Sequence, residues 1–399
     1  MSIATQITRL QTAKANIKQA IEDKGVDTTG HGLADYAEDI EAISTADPRL
    51  LQVLKPSGTL DLSDMTEVTN IRSYQFAKMD GNNTTFDQVI LPDTITIIGK
   101  YAFYRQKAMT DFVFPSGLQQ VLESAFQECE ALTELDLPDT LMNIGNYAFQ
   151  YDKNVETLHV PTSLSILGTY AFAGCEKITT FACPAAITTV PVGCFRNDYH
   201  LQAVTSGAPL TSIGDYAFQD CRALSSIDLS AVKTIGNYAF GSDSLQMLGC
   251  QALEEVDLSS VTSIGALAFH SSGIKELEIP TTLTSISSRA FGSCLSLKTL
   301  KYKARSFGNN NVCPFRYCTS LKNVWISANC VDIAASSNGS GPFSLCENLT
   351  RIYCEAASKP SKWDTYWHYK GSSHTVPTVY WGTTEEEFDA IVAEQEAEE

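Results

Sequence analysis

One phenylalanine recurs along the chain at nearly constant spacing, and apolar residues keep fixed offsets from it. Between residues 103 and 218 the spacing is 23 residues, and it becomes less regular afterwards. An apolar triad follows at offsets of 6, 9 and 11 residues, and the residue between its last two members is usually polar. Such alternation predicts a strand with one buried face. Phe76 precedes the column, which contains Phe103, Phe126, Phe149, Phe172, Phe195, Phe218, Phe240, Phe269, Phe291, Phe315 and Phe343.

Around each phenylalanine the sequence predicts a short strand, a turn, a second extended segment and one tight helical turn carrying Ala-Phe. Glycine usually lies four residues before the phenylalanine, where it is predicted to adopt a φ angle that β-branched residues cannot. No repeat can bury its apolar edge alone, so neighbouring repeats must stack. The fold class predicted is therefore an α/β repeat solenoid of about 12 repeats, on the order of 60 Å long at the spacing of β-strands.

This pattern resembles the BspA-like leucine-rich repeats. The segment Ile144-Gly145-Asn146-Tyr147-Ala148-Phe149 fits the family pattern residue by residue, as does the segment 213–229. The resemblance extends over roughly residues 58–355, and it implies a curved, non-catalytic recognition solenoid of the kind used for surface attachment. The repeat around Phe195 departs from the pattern, because Gly193-Cys194 replaces Tyr-Ala, and the repeat around Phe240 is also irregular.

The two ends differ from the repeats, which gives three predicted domains. These are a helical attachment or capping module at 1–46, the solenoid at 47–355, and an aromatic cap with an acidic tail at 356–399. In the first, Ile3, Ile7, Leu10, Ile17 and Ile21 follow helical spacing. The run ITRLQTAKANIKQAIEDKGV is similar to N-terminal segments of tail and fibre-like proteins of phages of gut Firmicutes. That resemblance implies docking to other virion proteins through residues 1–46, whereas capping of the first repeat is the simpler interpretation.

Charge narrows the choice of partners. The formal net charge is −18, from 28 basic and 46 acidic side chains, and residues 385–399 hold eight acids and no base. Nucleic-acid binding is disfavoured because it needs clustered Lys and Arg. No stretch is apolar enough to span a membrane, and the N-terminus lacks the pattern of a secretory signal, so no membrane insertion is expected.

The cysteines follow the repeat, and the pattern indicates core positions. Six of the twelve lie three residues after the column phenylalanine, where a free thiol acts as a small apolar side chain. We therefore expect buried, reduced cysteines. Disulfides remain an alternative for the pairs Cys313/Cys318 and Cys346/Cys354, whose spacings do not match structural zinc sites. No cofactor and no metal is predicted.

The ligand is expected to bind residues that point outward from the strands. The residue between the last two triad members varies along the chain while its neighbours repeat, as on a recognition face. The column becomes aromatic at its C-terminal end, beside a Trp-rich segment. There capping and ligand contact remain alternatives, since aromatic residues give rigid contact area. The candidate contact residues are Trp325, Tyr353, Trp363, Tyr366 and Trp367.

Catalytic signatures are missing from the sequence, so no enzyme activity is expected. His368 and His374 share a segment with Asp364, where a carboxylate–imidazole pair is conceivable. Asp136, Asp228 and Asp257 could in principle bind calcium, but their oxygens do not cluster in the sequence.

The preferred function is attachment by a phage tail or fibre-type virion protein that recognises a glycan or protein on the host surface. The protein would then be made in the host cytoplasm and could be a homo-oligomer. Two alternatives remain. One is a cell-surface or secreted bacterial adhesin of the same repeat family, and the other is an intracellular protein-interaction scaffold.

Overall fold

Short parallel strands repeat along the whole described chain in a computed structural model of the protein. The structure describes residues 58–78, 85–242, 248–308, 312–335, 341–370 and 376–398. The helical module predicted at 1–46 lies outside these residues. The described chain forms a β-solenoid of about 13 turns of roughly 23 residues, which confirms the predicted repeat architecture. Helix is confined to one C-terminal element, α1 (Glu385–Ala397), in the described residues.

Nearly every turn contributes a strand to one long side of the solenoid, and most turns add a two-residue strand to a second side. We call the first set face strands and the second set flank strands. The face strands are β1 (Thr59–Asp61), β3 (Gln88–Ile90), β5 (Asp111–Val113), β7 (Glu134–Asp136), β9 (Thr157–His159), β11 (Thr180–Cys183), β13 (Ala203–Ser206), β15 (Ser226–Ile227), β18 (Glu276–Ile279), β20 (Thr299–Tyr302), β21 (Asn323–Ile326), β22 (Arg351–Cys354) and β23 (Thr378–Trp381). The flank strands are β2 (Asn70–Ile71), β4 (Ile97–Ile98), β6 (Gln120–Val121), β8 (Asn143–Ile144), β10 (Ile166–Leu167), β12 (Thr189–Val190), β14 (Ser212–Ile213), β16 (Thr234–Ile235), β17 (Ser263–Ile264) and β19 (Ser285–Ile286).

All strand pairs are parallel, and the register follows the repeat. Leu135 of β7 lies opposite Leu158 of β9, 23 residues later. The face strands form four sheets in the orders β1-β3-β5, β7-β9, β11-β13-β15 and β18-β20-β21-β22-β23. The flank strands form two sheets, β10-β8-β6-β4-β2 and β12-β14-β16-β17-β19. The face sheet is therefore interrupted, and the first interruption lies between β5 and β7.

The phenylalanine column forms the centre of the core, as predicted. Phe126, Phe149 and Phe172 are fully buried. Their ring centroids are 5.4 and 5.5 Å apart, and the ring planes are within about 11° of parallel. The backbone also links successive turns, because the Phe149 N–H donates to the Ala171 carbonyl at 2.8 Å. Burial of an aromatic ring on this scale contributes about 1.5–3 kcal/mol before any stacking term.

The predicted role of the repeat glycine is wrong, and the structure gives a different reason for it. Gly99 and Gly145 do not have a positive φ. A Cβ atom on Gly99 would lie 2.5 Å from the Ser73 backbone nitrogen, and one on Gly145 would lie 2.6 Å from that of Glu123. Glycine is needed there because the backbone of the preceding turn passes too close for any side chain.

The left-handed conformation instead falls two residues before and two residues after the phenylalanine. Around Phe149 these residues are Tyr147, with φ of 57°, and Tyr151, with φ of 64°. A non-glycine residue with positive φ is strained, so each turn stores conformational energy that stacking must offset. The Ala-Phe segment is thus a compact hydrogen-bonded turn between two left-handed residues, where the sequence predicted a tight helical turn.

Replacement of Phe149 by alanine tests the stacking. The Phe149→Ala variant removes one ring between two others in a dry core, and we expect it to lower the free energy of unfolding by about 3–5 kcal/mol. Phe149→Leu is the matched control and should cost less, because it keeps most of the apolar volume. Urea unfolding followed by circular dichroism measures both variants. A loss below about 1 kcal/mol for Phe149→Ala would contradict the packing described here.

Candidate binding surface

The outward side chains of the face strands form a surface that runs along the solenoid, which we call the strand face. In β7 the central Leu135 is buried while Glu134 and Asp136 are exposed. The same alternation occurs in β1 and β5. The outward position is 57 % exposed at Val113. The predicted outward column is therefore confirmed over these turns, and its side chains are available to a ligand.

The predicted aromatic contact patch is not exposed. Trp325, Tyr353, Trp363 and Trp367 are each at most 4 % accessible to solvent, and Tyr366 is half-buried. The prediction of an exposed patch was wrong in this respect for two physical reasons. One pair of residues is covered by α1, and the tryptophans of the following segment pack into the end of the core.

Helix α1 lies across the strand face and covers Trp325 and Tyr353. The indole Nε1–H of Trp325 donates to the Thr383 carbonyl at 3.0 Å, just before the helix begins. The ring of Phe388, which is fully buried, meets that of Tyr353 edge-on at a centroid distance of 5.4 Å. Thr384 and Glu387 form a capping box that fixes the start of the helix. The acidic tail is thus a docked helix.

Two lysines on the strand face fix the position of the helix. Lys301 Nζ lies 2.6 Å from an Asp389 carboxylate oxygen and 3.2 Å from one of Glu385. Lys303 Nζ lies 2.8 Å from Glu385 and 3.0 Å from Glu278. Partial burial opposes the charge on Lys301, but hydrogen bonds to Asp389 and Glu385 leave its pKa raised. The sequence analysis missed this contact, because the partners are more than 80 residues apart.

Trp363 and Trp367 close the C-terminal end of the core. The Nε1–H of Trp363 donates to the Cys330 carbonyl at 3.0 Å, and the two indole rings are 4.7 Å apart. Trp381 lies beside them, 5.8 Å from Trp363. The sequence analysis left two roles open for these aromatic residues, ligand contact and capping of the last turn. Capping explains why Trp363 is buried and why its indole N–H bonds to a backbone carbonyl.

A groove opens in the strand face where the face sheet is interrupted between β5 and β7. No backbone hydrogen bond joins these two described strands. The groove has a volume of about 290 Å³. Three acidic residues, two threonines and three apolar residues line it: Thr110, Asp111, Phe112, Val113, Phe114, Thr133, Glu134 and Asp136. Of these residues the sequence analysis named only Asp136, because an interruption between sheets has no sequence signature.

The thiols of the repeat have a polar role as well as an apolar one. All twelve cysteines are free and buried. Cys129 donates its S–H to the Phe103 carbonyl at 3.2 Å, and Cys175 does the same to Phe149 at 3.1 Å. Each of these two thiols therefore satisfies a carbonyl of the preceding turn. Burial raises the pKa of these thiols well above the ordinary value, so the reactive thiolate is disfavoured.

Two buried carboxyls occupy the same position in other turns. Asp152 and Asp198 lie three residues after Phe149 and Phe195 and are fully buried. Burial raises the pKa of both well above the ordinary value. Asp152 Oδ1 accepts the Cys129 N–H at 2.8 Å, while its Oδ2 has no partner among the described residues. We infer that both carboxyls are protonated in the fold, because a neutral carboxyl supplies a donor where other turns use a thiol.

The remaining residues considered for catalysis or calcium binding make local hydrogen bonds or lie outside the described residues. Asp364 accepts the Tyr366 N–H at 2.8 Å, and His374 is outside the described residues. Asp228 and Asp257 accept N–H groups of serines two residues later. Among the described residues, no group of three or more His, Cys, Asp and Glu side chains could hold a metal ion. Nor does that part of the chain contain a helix with the length and apolar character needed to cross a bilayer.

Parallel strands stacked turn upon turn around an apolar column define this protein as a leucine-rich-repeat solenoid. The chain belongs to the BspA type leucine rich repeat family, whose profile matches residues 69–202, 143–252 and 247–366 in six copies. No curated protein sequence matches the chain.

Several solved structures are similar to this chain. A leucine-rich repeat protein from Bacteroides ovatus is 21 % identical, with a TM-score of 0.50, over 74 % of this chain and 69 % of that one. A leucine rich cell surface protein from Faecalibacterium prausnitzii is 20 % identical, with a TM-score of 0.43, over 84 % of this chain and 90 % of that one. The pneumococcal vaccine antigen PcpA is 16 % identical, with a TM-score of 0.42, over 81 % and 91 %. At 21 % identity, the similarity to the Bacteroides ovatus protein concerns the fold alone.

The buried carboxyls predict how stability depends on pH. Their pKa is raised in the folded state, so the folded chain binds more protons than the unfolded chain above about pH 4. The free energy of unfolding should therefore decrease as pH rises from about 4, because the cost of keeping the protons increases. The double variant Asp152→Asn/Asp198→Asn is expected to be more stable at pH 7 and to have a flatter pH profile.

Urea unfolding between pH 4 and pH 8 provides the measurement. Asp139→Asn is the matched control, since the Asp139 side chain is 91 % exposed. It should leave the pH profile unchanged. If the double variant had the same profile as the original chain, the two carboxyls would be ionised in the fold, and our inference of protonation would be wrong.

Proposed function

We propose that this protein is a non-catalytic adhesin that acts at a bacterial cell surface and binds a glycan or a protein through its strand face. The observation that supports this proposal is the groove between β5 and β7, which opens in the strand face among exposed side chains of varied type. Solenoids offer extended surfaces of this kind for recognition. Membership of the BspA type family supports binding in place of catalysis.

The groove favours a neutral or cationic ligand. Asp111, Glu134 and Asp136 bring three carboxylates to one opening, and Thr110 and Thr133 add hydroxyls. Carboxylates accept hydrogen bonds from sugar hydroxyls or from lysine and arginine side chains, and they repel phosphate and other anions. Exposed Val113 adds an apolar contact beside them. A glycan rich in hydroxyls or a basic protein surface fits this chemistry.

Virion attachment, the preferred function in the sequence analysis, lacks support from the comparisons. It depends on residues 1–46, which lie outside the described residues. Family membership favours the bacterial adhesin instead. Homo-oligomerisation and an intracellular scaffold remain hypotheses from the sequence.

Binding to intact bacterial cells tests the proposed function. The labelled full chain should bind some strains selectively, and the double variant Glu134→Ala/Asp136→Ala should bind about tenfold more weakly, equivalent to about 1.4 kcal/mol. Glu276→Ala in β18 is the matched control, because Glu276 is an exposed face-strand carboxylate far from the groove along the chain. Flow cytometry measures the binding. Equal weakening by the control variant would assign the effect to overall charge, and strain-independent binding would argue against recognition.

A further inference from the structure

Helix α1 is held on the strand face by ion pairs from Lys301 and Lys303, by a 3.0 Å hydrogen bond from Asn323 Nδ2 to Gln395 Oε1, and by one apolar contact. Phe388 is its only buried residue. With Trp325 and Tyr353 it forms an apolar cluster separate from the main core, and Ile391 and Val392 pack beside it half-buried. Loss of this contact would uncover two aromatic rings without opening the solenoid, because the cluster and the phenylalanine column do not share residues.

Charge complementarity makes the surface beneath the helix unlike the rest of the strand face. Lys301 and Arg351 are the only lysine or arginine residues in the described strands. The face strands elsewhere carry acids such as Asp61, Glu134 and Glu276. Glu385 and Asp389 are four residues apart on the helix, and both carboxylates lie beside Lys301. Phe388 contacts the ring of Tyr353. The surface therefore recognises a helix with an aromatic residue between two acids.

The helix has little stability of its own. It has 13 residues, a length at which isolated helices are marginal in water. Its first turn has three acids that favour the helix dipole, but its last turn has no basic residue, and Glu394 and Glu396 lie near that end. Exposed Gly382, with φ of 77°, joins it to β23. We therefore expect α1 to unfold when it leaves the strand face.

We propose that the strand face of β20, β21 and β22 is a binding site for an acidic amphipathic helix of a partner protein, and that α1 occupies this site until such a helix displaces it. The site would take a helix with a carboxylate, an aromatic residue and a second carboxylate at positions i, i+3 and i+4. It lies many turns from the groove between β5 and β7. The proposal is therefore independent of the proposed adhesin function.

The test uses the full chain and a fluorescein-labelled synthetic peptide of residues 383–399 as the probe. In the variant Phe388→Ala the chain's own helix loses its anchor, and Glu394→Ala is the matched control because Glu394 is exposed on the same helix. Fluorescence anisotropy measures peptide binding. Acrylamide quenching of tryptophan fluorescence reports the uncovering of Trp325.

We expect Phe388→Ala to bind the peptide with a Kd at least about tenfold lower than the original chain and the Glu394→Ala control. Its tryptophan fluorescence should be quenched more strongly. Adding Lys301→Glu to Phe388→Ala should weaken peptide binding by about tenfold, since it repels the peptide's acids. A peptide with Glu385→Lys and Asp389→Lys should not bind.

Three results would overturn the proposal. One is equal peptide affinity for Phe388→Ala and the original chain, and another is unchanged quenching, which would show that α1 stays docked. The third is binding of an anionic polysaccharide such as alginate to Phe388→Ala in preference to the peptide. If Phe388→Ala did not fold, Asp389→Lys would provide a second way to release the helix, because it places a positive charge beside Lys301.

Discussion

Every turn of this solenoid depends on its neighbours, because one turn can neither bury its phenylalanine nor satisfy its backbone alone. The rings of Phe126, Phe149 and Phe172 stack about 5.4–5.5 Å apart, and the N–H of each donates to a backbone carbonyl of the next turn. The same stacking requires glycine where successive backbones nearly touch and holds left-handed residues on both sides of the ring. Stability is therefore shared between neighbouring turns and is not a property of any single repeat.

One position in the turn shows how a polar requirement selects different residue types. Three residues after the phenylalanine, several side chains offer a donor to a carbonyl of the preceding turn. Cysteine does so with its thiol, and Gln106 does so through Nε2, 2.6 Å from the Phe76 carbonyl. An aspartic acid can do so only when protonated. The cysteines are buried core residues, and burial raises the pKa of Cys129 and Cys175, which disfavours the reactive thiolate there.

The last turn of a solenoid has no following turn to bury its core, so other side chains must cover it. At the C-terminus, Trp363 and Trp367 fill the last turn, and α1 covers a strip of the strand face with an acidic surface. The aromatic residues that look like ligand contacts in the sequence are thereby buried. The groove between β5 and β7 is open within the described part of the chain, where the sheet does not continue between these strands.

The sequence by itself determined the repeat, the phenylalanine core, the alternation of the face strands and the core position of the cysteines. These are local, periodic properties, and each turn repeats the information. It could not determine which outward residues stay exposed, since that depends on contacts between distant segments. Asp389 meets Lys301 and Phe388 meets Tyr353 only because the chain folds back after its last strand. The tertiary structure likewise decided the role of glycine and the position of the groove, because both depend on the distance between the backbones of neighbouring turns.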